Sequence, residues 1–315
     1  LTATTISGLV GVLLALNGYG VWSLVAHSTI AILLNTAIIW KLSSWRPQKA
    51  FSLKSLKELF SFSFNILLAG QISAICDELY YVIIGKLFSA SHLGFFARAR
   101  QTRDIPISVI DSIVQRVTFP AFSMIQDDTS RQKQILRKAI RNIAFFNFPV
   151  MIGLAMVAQP TVSILLGEKW LDSGPLLQLF CFAGLVRPIM SAHSSVILSR
   201  GKSKVILNFA IIINIFRILL LSFTWNWGME GIIWGEIVHS ILSYLVYMFW
   251  ASKNINYKFQ EQLSDSMPYL IAASLMGTAT FFAGTLLVNA SPLTLLSVQI
   301  TVGAASYLII CSIFN

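Results

Sequence analysis

Long apolar runs separated by short polar segments dominate this chain. About 20 mainly apolar residues are enough for a helix to cross the ~30 Å hydrocarbon core of a membrane. The pattern predicts ten membrane-spanning helices, over residues 2–16, 21–40, 59–87, 92–124, 140–166, 176–198, 205–225, 232–250, 267–288 and 293–313. Pro149 and Pro160 are expected to kink the fifth of these helices. The predicted fold class is therefore an all-α, polytopic membrane helix bundle.

The composition supports a membrane protein. Hydrophobic residues make up 56% of the 315 residues and charged residues 11%, and the mean hydropathy is +0.72. Soluble domains carry about 25% charged residues. A chain with so few charged residues and so much apolar surface is not expected to be a water-soluble globular protein. The net charge of +10 is concentrated in short loops and does not indicate a nucleic-acid partner.

Basic residues occur in every second loop, which predicts the orientation. The loops that follow helices two, four, six and eight are basic, and the loops between them contain only Lys169. Because cytoplasmic loops are enriched in Lys and Arg, we expect the basic loops on the cytoplasmic side, together with the C-terminal end at Asn315. The loop cations are Lys41, Arg46, Lys49, Lys54, Lys57, Arg131, Lys133, Arg137, Lys138, Arg141, Arg200, Lys202, Lys204, Lys253 and Lys258.

The fourth predicted helix carries a polar stripe. A charge at bilayer depth costs at least ~2.5–3.5 kcal/mol, so the stripe is expected to face the bundle interior. In one interpretation it lines a wet cavity whose arginines bind a phosphate or pyrophosphate. In the other, Arg100 pairs with Asp104, and Arg103 with Asp111 or a neighbour, in structural ion pairs. The stripe consists of Arg100, Asp104, Ser108, Asp111 and Gln115, which share one helix face, and Arg103 borders it.

Further charged residues lie inside other predicted helices. Asp77 and Glu78 are candidates for coupling carboxylates or for counter-charges to an arginine of the stripe. Arg187, Arg217 and Glu236 are candidates for cavity contacts or for polar links between helices. No metal site and no cofactor are expected, because the histidines lack acidic partners at ligand spacing, whereas coupling to H⁺ or Na⁺ stays open.

Several short segments resemble a known family when they are taken in order. They are GYGVWSLV at 18–25, SWRP at 44–47, LGFFARA at 93–99, FPAFS at 119–123, QDD at 126–128 and GEKW at 167–170. Their order and spacing resemble the polysaccharide-biosynthesis and lipid-linked oligosaccharide flippases of the multidrug/oligosaccharidyl-lipid/polysaccharide exporter superfamily. This resemblance covers the whole chain.

The resemblance implies an architecture of about fourteen helices, in two six-helix lobes and a terminal pair. This chain, which starts at Leu1 without a methionine, resembles helices five to fourteen and is expected to be a piece of a longer protein. Residues 1–40 are then the last two helices of a truncated N-terminal lobe, and 41–58 a basic cytoplasmic linker. Residues 59–252 form the C-terminal six-helix lobe and 253–315 the terminal pair.

The resemblance also implies a function. The family's cargo is an oligosaccharide repeat unit on undecaprenyl pyrophosphate, flipped across the bacterial inner membrane for O-antigen (lipopolysaccharide), capsule or exopolysaccharide synthesis. Arg100 and Arg103 fit best the cavity arginines that recur in the family. The expected partners are this lipid-linked oligosaccharide, membrane lipids, and polysaccharide polymerase and chain-length machinery.

Two alternatives remain open from the sequence. One is a cation-coupled multidrug exporter of the same superfamily, and the other is a membrane-embedded polysaccharide polymerase or ligase. The sequence has no Walker loop, zincin pair or nucleophile elbow. A transporter is therefore favoured over an enzyme.

Overall fold

The computed structural model describes residues 2–44, 46, 51–287 and 290–314, and these residues contain no β-strand. They form two compact units, Leu1–Leu56 and Lys57–Asn315. The α-helices of the described residues are α1 (Thr2–Leu16), α2 (Trp22–Leu42), α3 (Leu53–Leu87), α4 (Ala90–Ser123), α5 (Thr129–Met156), α6 (Ala158–Leu166), α7 (Ser173–Gly184), α8 (Arg187–Ser199), α9 (Ser203–Thr224), α10 (Gly228–Ile255), α11 (Phe259–Leu286) and α12 (Pro292–Phe314).

These helices confirm the all-α membrane fold. Seven helical segments of the described chain are long and apolar enough to cross a membrane, and the segment Ser203–Ile255 contains both α9 and α10. The helix α1, with 15 residues, and the charged helix α4 fall outside these seven. Each predicted helix corresponds to one helix or to two consecutive helices. The number ten for the membrane crossings stays a prediction.

The first unit contains the hairpin of α1 and α2. Gly18 and Gly20 in the connecting turn have φ values of +83° and +50°, a region that residues with a Cβ atom rarely adopt. Of the predicted 41–58 linker, Trp45 and residues 47–50, including Lys49, lie outside the described residues, as do Val288 and Asn315 at the ends of predicted segments.

Three helices begin six or more residues earlier than predicted, and α11, which starts at Phe259, is one of them. The helix α3 starts at Leu53, within the predicted linker, and α5 starts at Thr129, within a predicted basic loop. Asp128 caps α5 by accepting a hydrogen bond from the backbone N–H of Arg131. Hydropathy locates the apolar run of a helix, and these polar first turns lie outside that run.

The fifth predicted helix is divided into α5 and α6 at Val157. Pro160 follows three residues later, and a proline ring excludes the carbonyl of the residue four positions earlier, here Met156. Near Pro160, where a kink was expected, the helix is interrupted. Pro149 lies inside α5 and does not divide it.

The sixth predicted helix is divided into α7 and α8, a break that the sequence analysis did not predict. Pro188 lies in the first turn of α8, and α7 ends at Gly184, four residues before it. The buried Asn147 of α5 donates from Nδ2 to the carbonyl oxygens of Leu185, at 2.6 Å, and Gly184, at 3.3 Å. A side chain thus satisfies the carbonyl groups that the break releases, as a membrane interior requires.

Ion pairs between α5 and α11 link two helices of the second unit. The buried carboxylate of Asp265 accepts hydrogen bonds from the guanidinium groups of Arg137 and Arg141 and from the Tyr257 hydroxyl, at 2.5–3.0 Å. Lys133 pairs with the carboxylate of Glu261 one turn away, at 2.8 Å. The basic residues before the apolar part of α5 therefore hold α11 in place.

Candidate functional site

A cavity of about 570 Å³ lies among α3, α4, α8, α9 and α10 in the second unit. Its lining combines four arginines and two carboxylates with neutral polar and apolar side chains, in a bundle whose outer faces are strongly apolar. The charged lining residues are Asp77, Arg100, Arg103, Arg187, Arg217 and Glu236. Six of the nine predicted site residues are therefore brought to one cavity.

Four of these residues form a continuous ion-pair chain. The Oδ1 atom of Asp77 accepts hydrogen bonds from Arg100 Nη2, at 2.5 Å, and from Arg217 Nη1, at 2.7 Å. Arg217 also donates from Nε to Glu236 Oε1, at 2.6 Å. The chain connects α3, α4, α9 and α10, and its two positive and two negative charges cancel.

A second charged group lies around Asp104. Its Oδ1 atom is 3.0 Å from Arg103 Nε and 3.2 Å from Arg187 Nη1. The side chain of Arg103 is 4% exposed, whereas that of Arg187 is 45% exposed. This group has one more positive than negative charge. Arg187 is the cavity arginine that an incoming ligand reaches most easily.

The ion-pair partners of the α4 arginines differ from those that the sequence predicts. Arg100 pairs with Asp77 on the neighbouring α3 and not with Asp104, and Arg103 pairs with Asp104 and not with Asp111. Asp111 is half-buried, and its Oδ1 atom lacks a hydrogen-bond partner among the described residues. Glu78 is exposed, does not line the cavity and forms no ion pair in the described chain.

Aromatic rings beside the arginines were missed by the sequence analysis. The guanidinium carbon of Arg217 lies 4.5 Å from the ring centroid of Tyr80, and that of Arg103 lies 5.3 Å from Phe180. Tyr80 follows Asp77 by three residues on α3, so helical spacing could have indicated that both share a face. Phe180 comes from α7, and no local pattern relates it to α4.

The ion pairs leave some donors unused. Arg100 Nη1 and Arg217 Nη2 are buried nitrogens without a hydrogen-bond partner in the described chain. An arginine presents five N–H donors in a fixed fork, which suits phosphate and carboxylate oxygens. The described residues contain no group of three His, Cys, Asp or Glu that could hold a metal ion. The arrangement is therefore suited to binding a polar or anionic group.

Comparisons with known proteins agree with this architecture. The family model described as "Polysaccharide biosynthesis protein" matches residues 1–175. An uncharacterized membrane protein in the cps region of Klebsiella pneumoniae is 32% identical over 207 residues, which cover 64% of this chain and 42% of that protein. The succinoglycan biosynthesis transport protein ExoT of Rhizobium meliloti is 29% identical over 185 residues, covering 58% of this chain and 37% of that protein.

A solved structure shares the fold. The chain "Lipid II flippase MurJ, inward closed conformation" superposes with a TM-score of 0.69 at 18% identity, covering 99% of this chain and 66% of that chain. The present chain spans less than half the length of the two curated relatives described above. The apolar helices and these relatives place it in the bacterial inner membrane as a multi-pass protein. Because the family model matches more than half of its residues, the chain belongs to the polysaccharide biosynthesis protein family.

Proposed function

We propose that the chain is part of a transporter that flips lipid-linked oligosaccharide repeat units across the inner membrane for surface polysaccharide synthesis. The observation that carries this proposal is the charged cavity inside an otherwise apolar helix bundle. Two similar proteins bear names that agree with it, a biosynthesis transport protein and a lipid II flippase. The activity, the cargo and the partners of the whole protein are part of the proposal.

A physical argument links the cavity to this cargo. A glycan on a pyrophosphate cannot cross ~30 Å of hydrocarbon unaided, because its polar groups lose water without new partners. The cavity offers arginine donors and neutral polar side chains in place of that water. We assign the anion contact first to Arg187, which is accessible, and then to Arg103 beside it. The chain of Asp77, Arg100, Arg217 and Glu236 positions the helices around them.

The alternatives make different demands on this cavity. A cation-coupled multidrug exporter is expected to favour carboxylates and aromatic side chains over buried arginines, whereas the charged lining residues here are four arginines and two carboxylates. A polymerase or ligase needs a reactive centre, and the cavity residues supply ion pairs instead. Three further points remain parts of the proposal. They are interaction with a polymerase and chain-length machinery, coupling to H⁺ or Na⁺ through Asp77 or Glu78, and the division into residues 59–252 and 253–315.

Variants of the cavity arginines in the full-length parent protein test the proposal. Arg187→Gln and Arg103→Ala are each expected to reduce surface polysaccharide about tenfold or more, since a charge-assisted hydrogen bond contributes ~1.5–3 kcal/mol. The amount of protein in the membrane should not change. Arg116→Gln on the same α4 is the control, because Arg116 is exposed and does not line the cavity. Undiminished polysaccharide in both cavity variants would remove the proposed role.

A further inference from the structure

An apolar groove of about 680 Å³ runs between α9 and α10, beside the polar cavity. Ile213 and His239 line both spaces, and the remaining groove residues do not line the cavity. The groove wall includes Phe249, which is 71% exposed, and Ile212 and Phe216, which are also exposed. The volume is within the ~300–1,000 Å³ that is usual for binding sites.

Three cations surround one end of this groove. Lys253 and Asn254 line the end itself. Lys202 Nζ lies 3.4 Å from Asn254 Oδ1 and 5.9 Å from the ring centroid of Trp250, and Arg200 donates to the Asn254 backbone carbonyl at 3.1 Å. None of these three cations forms an ion pair within the part of the chain that the structure describes. The cavity arginines, in contrast, are all paired with carboxylates.

The length of the groove matches one leaflet of a bilayer. Its α10 wall extends from His239 to Lys253, and fourteen residues at 1.5 Å per residue correspond to ~21 Å. Half of a bilayer, including its headgroup region, is ~20–22 Å thick. The cations therefore lie at headgroup depth when the apolar end lies near the bilayer midplane. They belong to two basic loops for which the sequence predicts the cytoplasmic side.

We propose that the groove between α9 and α10 is a binding site for an anionic phospholipid of the inner leaflet. One acyl chain lies along Phe216, Leu245 and Phe249, and the headgroup phosphate contacts Lys253 and Lys202. Basic pockets between membrane helices on the cytoplasmic side suit anionic headgroups, because the local positive charge is not neutralised by the protein. This lipid is distinct from the transported cargo, whose polar part is assigned to the cavity.

Lipid binding to the purified, delipidated full-length parent protein in detergent tests the proposal. Phosphatidylglycerol and phosphatidylcholine with the same acyl chains are added, and bound lipid is counted by native mass spectrometry. Phosphatidylglycerol is expected to bind more tightly. Lys253→Gln is expected to weaken its binding about fivefold and Lys202→Gln/Lys253→Gln about 25-fold, as about 1 kcal/mol for each basic residue predicts.

Two further variants separate this site from general attraction to basic surface. Lys138→Gln makes the same charge change at an exposed residue of α5 that does not line the groove, and it should leave phosphatidylglycerol binding unchanged. Leu245→Trp fills the groove and should weaken the binding of both lipids. Equal affinity for the two lipids in the unmodified protein would overturn the proposal. So would a Lys202→Gln/Lys253→Gln variant that binds phosphatidylglycerol no more weakly than Lys138→Gln.

Discussion

Replacement of Arg217 by methionine is expected to lower the free energy of unfolding by about 3–5 kcal/mol. The side chains of Arg217 and Glu236 are 7% and 9% exposed, and Arg217 is the cation that pairs with Glu236 in the described chain. Removal of one partner leaves a buried charge without compensation, which is the costly case for an interior ion pair. Asp77 retains Arg100, so the main loss is at Glu236.

Substitution of the ion-pair partner, Glu236, should lower the free energy of unfolding by less. Glu236→Gln removes one charge-assisted hydrogen bond, worth ~1.5–3 kcal/mol, but Arg217 keeps its bond to Asp77. In the double variant Arg217→Met/Glu236→Gln no charge stays unpaired at Glu236. The double variant should therefore be more stable than the sum of the single effects predicts, by about 2 kcal/mol.

Reversible denaturant titration of the purified chain in detergent micelles measures these energies, with the eight tryptophans as the fluorescent probe. Glu230→Gln on the same α10 is the matched control, since Glu230 is exposed and has no ion-pair partner in the described residues. It should change the stability by less than ~0.5 kcal/mol. Strictly additive effects of the two cavity substitutions would show that Arg217 and Glu236 are not coupled, and the reasoning would fail.

Three other predictions concern the frame around the cavity. Asp265→Asn should lower the free energy of unfolding by about 2–4 kcal/mol in the same titration, because two arginines lose their buried acceptor, whereas the exposed Asp172→Asn should have little effect. Asn147→Leu should cost about 1–3 kcal/mol by leaving carbonyl groups at the α7–α8 break unsatisfied, and a stability equal to that of the exposed control Asn142→Ala would contradict this. A cysteine at Glu168 should react with an impermeant maleimide from the periplasmic side, and labelling only from the cytoplasm would reverse the predicted topology.

The sequence alone determined the class of fold and most helix positions. Helix boundaries follow from runs of apolar residues and from prolines such as Pro160, and both signals are local in the chain. The inward position of Arg100 and Arg103 also follows from the sequence, because a charged stripe on a membrane helix has no stable place in lipid. The break at Pro188 could have been predicted in the same way, because a proline interrupts a helix locally.

Only the tertiary structure decided which charges meet. Arg100 had a carboxylate one turn away at Asp104, yet it pairs with Asp77, and Arg217 reaches the same carboxylate from 140 residues away. Likewise, Asn147 donates hydrogen bonds to carbonyl groups nearly 40 residues further along the chain. Periodicity fixes the face of a helix on which a residue lies, but an ion pair depends on which other helix packs against that face. Which helices pack together depends on the burial of apolar surface across the whole bundle, and it cannot be read from any single segment.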